Sequence, residues 1–413
     1  ALAQFSILPK HALEGKDFNK VDFEFPVVSG RYEIEEIKDG IYVRFNRRSD
    51  WWLDDQKRYQ GIDNFEAIEY RFYPEREMIF EAFKKGEVDI FGMATSTIWN
   101  EGCRGEAFDK NWIIKQKVFN SEPMPYQGYA INMRREPYKD RRVRQALAHL
   151  LDRRRVNESM RFGEYFLLQS HVTRMYDEDH PNQNPLYEFD VEKARALLAD
   201  AGWVVNPATG KLEKDGEPFV INFLLRAPEW SKYLVVYQED LKDVGIDMNI
   251  QMTDWAGWSK EMDEFNFEMT LAAWGVPVFW DPEGSWHSSQ ASEKGGNNIS
   301  GIQNSEVDAL IEKQKRLFDY EERKIVLRKI DQLVYEDVPM ILELMVDFKR
   351  MLYWNRFGMP DTVLDKYSAE EAAYHYWWID PDQEADLESS KDAGQTMPSK
   401  PSEVHFSEMF VGN

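Results

Sequence analysis

Residues 271–289 read LAAWGVPVFWDPEGSWHSS and set Trp274, Trp280 and Trp286 among Asp281, Glu283 and His287. Three chemistries fit these residue types. Two carboxylates between aromatic platforms are what a glycosidase needs to break a bond between stacked sugar rings. Asp, Glu and His together offer hard and borderline donors to a cation. Tryptophan faces beside one carboxylate also suffice to hold a ligand unchanged. Asp281 and Glu283 stand two residues apart, which suits neighbours on one loop better than acids opposed across a bond. DPEG is also ordinary turn chemistry. Read alone, the stretch admits catalysis, metal binding or grip, with packing in a Trp-rich core as the competing explanation for each ring.

Other reactive patterns do not compete. The chain has no G-x-x-x-x-G-K-[ST] and no strand-linked G-x-G-x-x-G, which argues against nucleotide chemistry, and no G-x-S-x-G nucleophile elbow. Its histidines, His11, His149, His171, His180, His287, His375 and His405, form no H-E-x-x-H pair and read individually as structural or surface groups. Cys103 is the single cysteine, which excludes an internal disulfide and a cysteine zinc cage. The net charge is 51 − 74 = −23, against a nucleic-acid or anionic-membrane surface. No run of 18 apolar residues occurs, so the sequence predicts no membrane span. The opening ALAQFSILPKHALEG lacks the basic start and apolar core of a leader.

The elements that must position such a loop follow from periodicity. A length of 413 residues exceeds one ordinary core and predicts two lobes. GRYEIEEIKDGIYVRFNRR alternates about Asp39-Gly40 as a hairpin. REMIFEAFKKGEVDIFG gives a helix and then a strand over 88–91. YKDRRVRQALAHLLDRRRVNESM predicts a helix capped by Asp140, with Val143, Ala146, Leu147, Leu150 and Leu151 on its apolar face. DVEKARALLADAGW and SKYLVVYQEDLKDVGI are helices closed by Gly202 and Gly245. PFVINFLLR, IDMNIQMTDW and FEMTLAAW are strands, the last delivering the chain to residue 274. Two more helices follow, and VPMILELMV reads as one apolar strand. Helices alternating with strands over 135–345 imply an α/β lobe. After Asp380 the chain is polar and turn-rich, which predicts an extended or mobile appendage.

Residues 137–147, PYKDRRVRQAL, resemble the P-[FY]-x-D-x-R-V-R-x-A-[LI] signature of family-5 extracellular solute-binding proteins. These are the oligopeptide, dipeptide and nickel receptors of ABC importers. YQGYAINMRRE resembles their strand that crosses between lobes, and VVSGRYEIEEIKDGIYVRFNRRSDWW their S-G-x-Y hairpin. YPEREMIFEAFKKGEVDI resembles their helix and G-E-x-D strand. NNISGIQNSEVDALIEKQK is similar to the Yej-type peptide branch. The matches cover residues 27–360 in the family's order. The structural reading of the Arg-Val-Arg helix is that Asp140 caps it while its arginines pair at a lobe surface.

The resemblance implies an α/β, two-lobed periplasmic-binding-protein fold (type II, family-5 cluster) with mixed sheets and a hinge. Lobe I would be partial at 1–126, lobe II would span 127–343, a return segment of lobe I 344–380, and a polar tail 381–413. It implies a non-enzymatic receptor, without cofactor or metal, in the periplasm or outside the cell. Its partners would be an oligopeptide or other small solute and an inner-membrane ABC permease, with no nucleic acid. Only about 28 residues precede Ser29, so the family's upstream region is expected outside this chain or on a separate chain. An oligosaccharide receptor, a scaffold subunit derived from a truncated receptor, and a glycosidase stay open.

On this reading Trp274 and Trp286 face the ligand from lobe II and Trp99 faces it from lobe I. Tyr126 and Tyr129 sit at the lobe crossing, and Asn298 meets the ligand backbone. Relatives place an Asp three residues after the strand-ending Trp to pair with a peptide ammonium. Pro277 stands there here, so Asp281 becomes the expected anchor, and Asp281→Asn is expected to weaken binding by about tenfold or more, the scale of one charge-assisted bond.

Overall fold

A computed structural model describes residues 8–17, 20, 25, 27–92 and 95–406. The start of the chain read for a leader, residues 1–7, and the end of the expected tail, 407–413, lie outside the described residues. The chain divides into two compact units, Ala1–Asn120 with Phe348–Asn413, and Ser121–Asp347.

In the first unit the predicted hairpin forms from Tyr32–Lys38 and Tyr42–Arg47. Gly40 takes φ 66°, a conformation open to glycine, and the Ile41 N–H closes the turn on Lys38 at 2.8 Å. Ala67–Arg71 adds a third antiparallel strand. Helix Arg76–Lys84 follows and leads to a short strand, Ile90–Phe91. That strand lies at the edge of a four-stranded sheet ordered Glu403–His405, Ile113–Phe119, Lys349–Trp354, Ile90–Phe91. Phe80, Phe83, Trp99, Trp112 and Trp354 pack a core beside it.

The segment after Asp380 differs from its expectation as an extended or mobile appendage. It forms helix Pro381–Ala393, whose first N–H groups bond the Asp380 side chain, and it ends at Gly394 with φ 61°. The chain then runs along Ile113–Phe119 and pairs with it in parallel through Glu403–His405. Trp112 and Gln116 side chains donate to the Gln395 and Pro401 carbonyls at 2.8 and 2.7 Å. Leu387, Met397 and Val404 are buried. Three apolar anchors and a sheet edge order a segment whose average composition is polar, because composition does not register partners far away in sequence.

The second unit is built on a five-stranded mixed sheet ordered Asp247–Met252, Val220–Leu225, Met269–Trp274, Tyr126–Ile131, Met340–Leu342. Val220–Leu225, helix Ser231–Lys242 and Asp247–Met252 form a parallel crossover. Tyr126–Ile131 runs antiparallel between Met269–Trp274 and Met340–Leu342. At Gly128 a Cβ would collide with the Ile341 carbonyl, so the strand needs glycine there. The single strand expected from VPMILELMV divides. Met340–Leu342 stays in this sheet, while Leu344–Met345 pairs with Phe166–Leu167, with Glu343 at the break.

Asp140 caps helix Arg141–His149 as predicted, accepting from the Arg142 N–H at 2.9 Å. The two arginines divide, which corrects their shared placement at a surface. Arg142 pairs with Asp140 at the exposed end of the helix. Arg144 is buried, bonded to Asp337 at 2.6 Å and to the Tyr138 and Asp337 carbonyls. A guanidinium can be buried only where its fork is filled this way, and here it ties two helices together.

Candidate functional site

Strand Met269–Trp274 sets the site. Register pairs Trp274 with Tyr126 on the neighbouring strand, and the rings stack with centroids 5.5 Å apart. Beyond the strand the chain turns into a short helix, Glu283–Trp286, that drives Trp286 inward. Trp286 meets Trp280 edge-on at 4.7 Å and the His171 ring at 4.9 Å. Tyr126 also meets His171 edge-on, at 5.0 Å. Tyr126, Trp274 and Trp286 thus line one shallow recess of this unit, with His171, Ser285, Ser300 and Met340 among its other walls.

His171 follows the strand Phe166–Leu167, and its Nδ1 lies 2.9 Å from Oδ1 of Asp331 on helix Tyr320–Asp337. The Asp331 carboxylate is fully buried and also accepts from the His171 N–H, the Tyr176 hydroxyl and the Asn184 amide. Burial, and then the Asp331 charge, push the Tyr126 hydroxyl well above the ordinary phenol range, and the same two causes act on Tyr176. Both hydroxyls therefore stay protonated across the physiological range, and the Tyr176 proton is given to Asp331.

The other candidate residues are placed differently. Tyr129, three residues from Tyr126, faces the opposite side of the sheet, as strand alternation requires. It packs edge-on to Phe223 at 5.2 Å, and burial above all, then Glu343, holds its hydroxyl protonated. Asn298 is 1% exposed. Its amide donates to the Ile302 and His287 carbonyls, and its oxygen accepts from the Gly301 and Ile302 N–H groups, so its hydrogen-bonding capacity is filled within the loop. Asp281 is exposed and accepts from Gln314 Nε2 at 3.0 Å and the Glu283 N–H at 3.1 Å. Neither Asn298 nor Asp281 is among the described residues lining the recess. Trp99 belongs to the other unit, where it is buried with Lys115 Nζ 4.6 Å over its ring.

The acids that suggested catalysis or a metal have protein partners. Glu283 pairs with Lys315 at 2.6 Å and His287 with the Ser289 hydroxyl at 2.9 Å. No cluster of three potential ligand side chains occurs among the described residues. Sequence reasoning missed the part played by His171. A lone histidine in LLQSHVTRM carries no signal, because its partner Asp331 is 160 residues away.

Comparison with known proteins bears on what this arrangement is. The profile of bacterial extracellular solute-binding proteins, family 5 (middle), matches residues 1–297. The chain is 25% identical over 411 residues to "Probable peptide-binding protein YejA" of Agrobacterium fabrum, covering 88% of this chain and 66% of that protein. It is 26% identical over 401 residues to the oligopeptide-binding protein AppA of Bacillus subtilis, covering 92% and 68%. The chain thus spans just under two thirds of the Agrobacterium relative. Its fold is similar to the solved structure of Bacillus subtilis AppA in complex with a nonapeptide, at TM-score 0.75 and 23% identity over 91% of this chain and 72% of that one. It is also similar to Campylobacter jejuni NikZ in complex with Ni(L-His), at TM-score 0.69 and 21% identity over 88% and 69%. The motifs of residues 27–360, the mixed sheets and the profile match agree: this chain belongs to the bacterial extracellular solute-binding proteins of family 5.

Proposed function

We propose that the chain captures a peptide or peptide-like solute between two lobes that close on it, and presents it without turnover to an ABC permease in the inner membrane. The proposed location is the periplasm. No described helix is long and apolar enough to cross a membrane. The observation that carries the reading is the aromatic recess of Tyr126, Trp274 and Trp286 at the end of a sheet strand. Rigid aromatic walls with few polar groups are how solute pockets combine affinity with tolerance of varied side chains. The naming of the Agrobacterium and Bacillus relatives supports a peptide as the solute.

In this reading Trp274, Tyr126 and Trp286 contact ligand. Asn298 and Asp281 shape the loop that carries Trp286, and Tyr129 and Trp99 are core residues. Native mass spectrometry of the purified protein with a pool of random tri- to nonapeptides tests it. The expected result is adducts with the masses of intact peptides. Adducts from an oligosaccharide pool alone, or hydrolysed peptides in the eluate, would overturn it.

A further inference from the structure

Asn297, Ile299, Ser300 and Ile302 line the aromatic recess from a stretch, residues 293–304, that forms neither helix nor strand. Its backbone closes around one side chain. Arg134 lies three residues beyond strand Tyr126–Ile131. Its Nε and one Nη donate to the Ala291 carbonyl at 3.1 and 2.6 Å. The same Nη donates to the Asn298 carbonyl at 2.8 Å. The other Nη donates to the Ile299 carbonyl at 2.6 Å and to the Asn132 side-chain oxygen at 3.2 Å. The five donors of the guanidinium thus meet five acceptor contacts. The Phe265 ring covers the group's face, its centroid 3.8 Å from the guanidinium carbon. Asn132, fully buried, ties Phe265 down in turn through its carbonyl at 2.9 Å.

Arg134 has no carboxylate partner among the described residues, and burial alone lowers its pKa, to about 10, so it stays charged at physiological pH. An arginine paired with a carboxylate would keep its place whatever the loop did. The carbonyls of Ala291, Asn298 and Ile299 converge on one point only in the present course of the loop, so the planar fork and the loop specify each other. The Met133 N–H adds a bond to the Ser300 carbonyl at 2.9 Å, next to the arginine in both chains of the contact. Arg134 itself is not among the described residues lining the recess.

We propose that Arg134 is a positioning residue for ligand capture: by gathering three loop carbonyls it sets the recess wall of residues 297–302. The inference rests on the reading of the recess as the pocket of a peptide receptor. A wall fixed in advance spares binding the ordering of that loop.

Apparent affinities for one pool of random tri- to nonapeptides are compared by calorimetry on the unaltered protein and on Arg134→Ala, at a temperature where circular dichroism shows both folded. The variant is expected to bind about tenfold more weakly, the scale of ordering one or two side chains on binding. Guanidinium chloride at low millimolar concentration, far below denaturing levels, is expected to refill the fork and restore the affinity to within about twofold. Ammonium chloride at the same concentration offers the charge without the fork and is expected to restore nothing. Unchanged affinity in Arg134→Ala, a loss that guanidinium leaves standing, or equal restoration by ammonium overturns the proposal and leaves peptide capture intact. Binding of no peptide to the unaltered protein overturns both. Should Arg134→Ala fail to fold, hydrogen exchange of the Arg134 side-chain N–H groups in the unaltered protein decides. Coupling is reciprocal, so saturating peptide is expected to slow that exchange about tenfold, and an unchanged rate overturns the proposal.

Discussion

Asn298 makes four hydrogen bonds inside one loop, each to a backbone group. Asn298→Ala leaves buried N–H and C=O groups unpaired, so a loss of about 2–4 kcal/mol is expected, read as a lower denaturant midpoint at constant slope. Trp274→Ala removes a ring stacked on Tyr126. Truncating an aromatic anchor costs about 2 kcal/mol of binding, roughly 30-fold in peptide affinity by calorimetry, with the fold intact. Asp281→Asn is now expected to leave that affinity within about twofold, since exposed charges away from a contact contribute little. Its carboxylate is occupied by Gln314 and the Glu283 N–H. The tryptophans were legible in the sequence as residue types able to hold a ligand. Which acid or histidine stands beside them was not, because His171 lies more than 100 residues before them and its partner Asp331 45 to 57 residues after them.

Strand and helix boundaries were mostly legible, because they rest on local chemistry. Asp140, Asp190 and Asp319 cap their helices through side-chain acceptance of N–H groups, and Gly245 closes helix Ser231–Lys242 with φ 87°. The exceptions are elements made by distant partners. The polar segment 381–406 is ordered by the edge of a sheet, and VPMILELMV is divided between two sheets. Gly128 belongs to this scale as well. Tyr126–Ile131 lies between two strands, and the Ile341 backbone approaches position 128 too closely for a side chain. Gly128→Ala is expected to cost about 3 kcal/mol or more, since backbone atoms cannot yield as a side chain would. Thermal unfolding measures it, and an unchanged midpoint would show that the strands can separate.

The two units carry histidines with opposite pH behaviour. In the second unit His149 is 3% exposed, and burial lowers its pKa despite the Nδ1 contact to the Glu188 carbonyl at 2.7 Å. Its folded pKa lies below the ordinary 6.5, so its contribution is present above pH 6.5 and is lost as pH falls through the folded value. In the first unit the hydrogen bond to Asp63 raises the pKa of the exposed His375. That contribution is full below pH 6.5 and is lost as pH rises through the folded value. Unfolding followed from pH 5 to pH 8 should lose its acid slope in His149→Asn and its alkaline slope in His375→Asn. At the scale of the whole chain, the sequence by itself determined the helix caps, the hairpin turn, the α/β alternation and the family, since these depend on residues a few positions apart and on motif order. Only the tertiary structure decided that Tyr126, Trp274, Trp286 and His171 share one recess, with Asp331 buried behind His171, and that Asp281 and Asn298 build the loop beside it. The physical reason is that a site is assembled from strands and helices whose pairing is set by register and burial, and neither is written in the spacing of the residues that meet there.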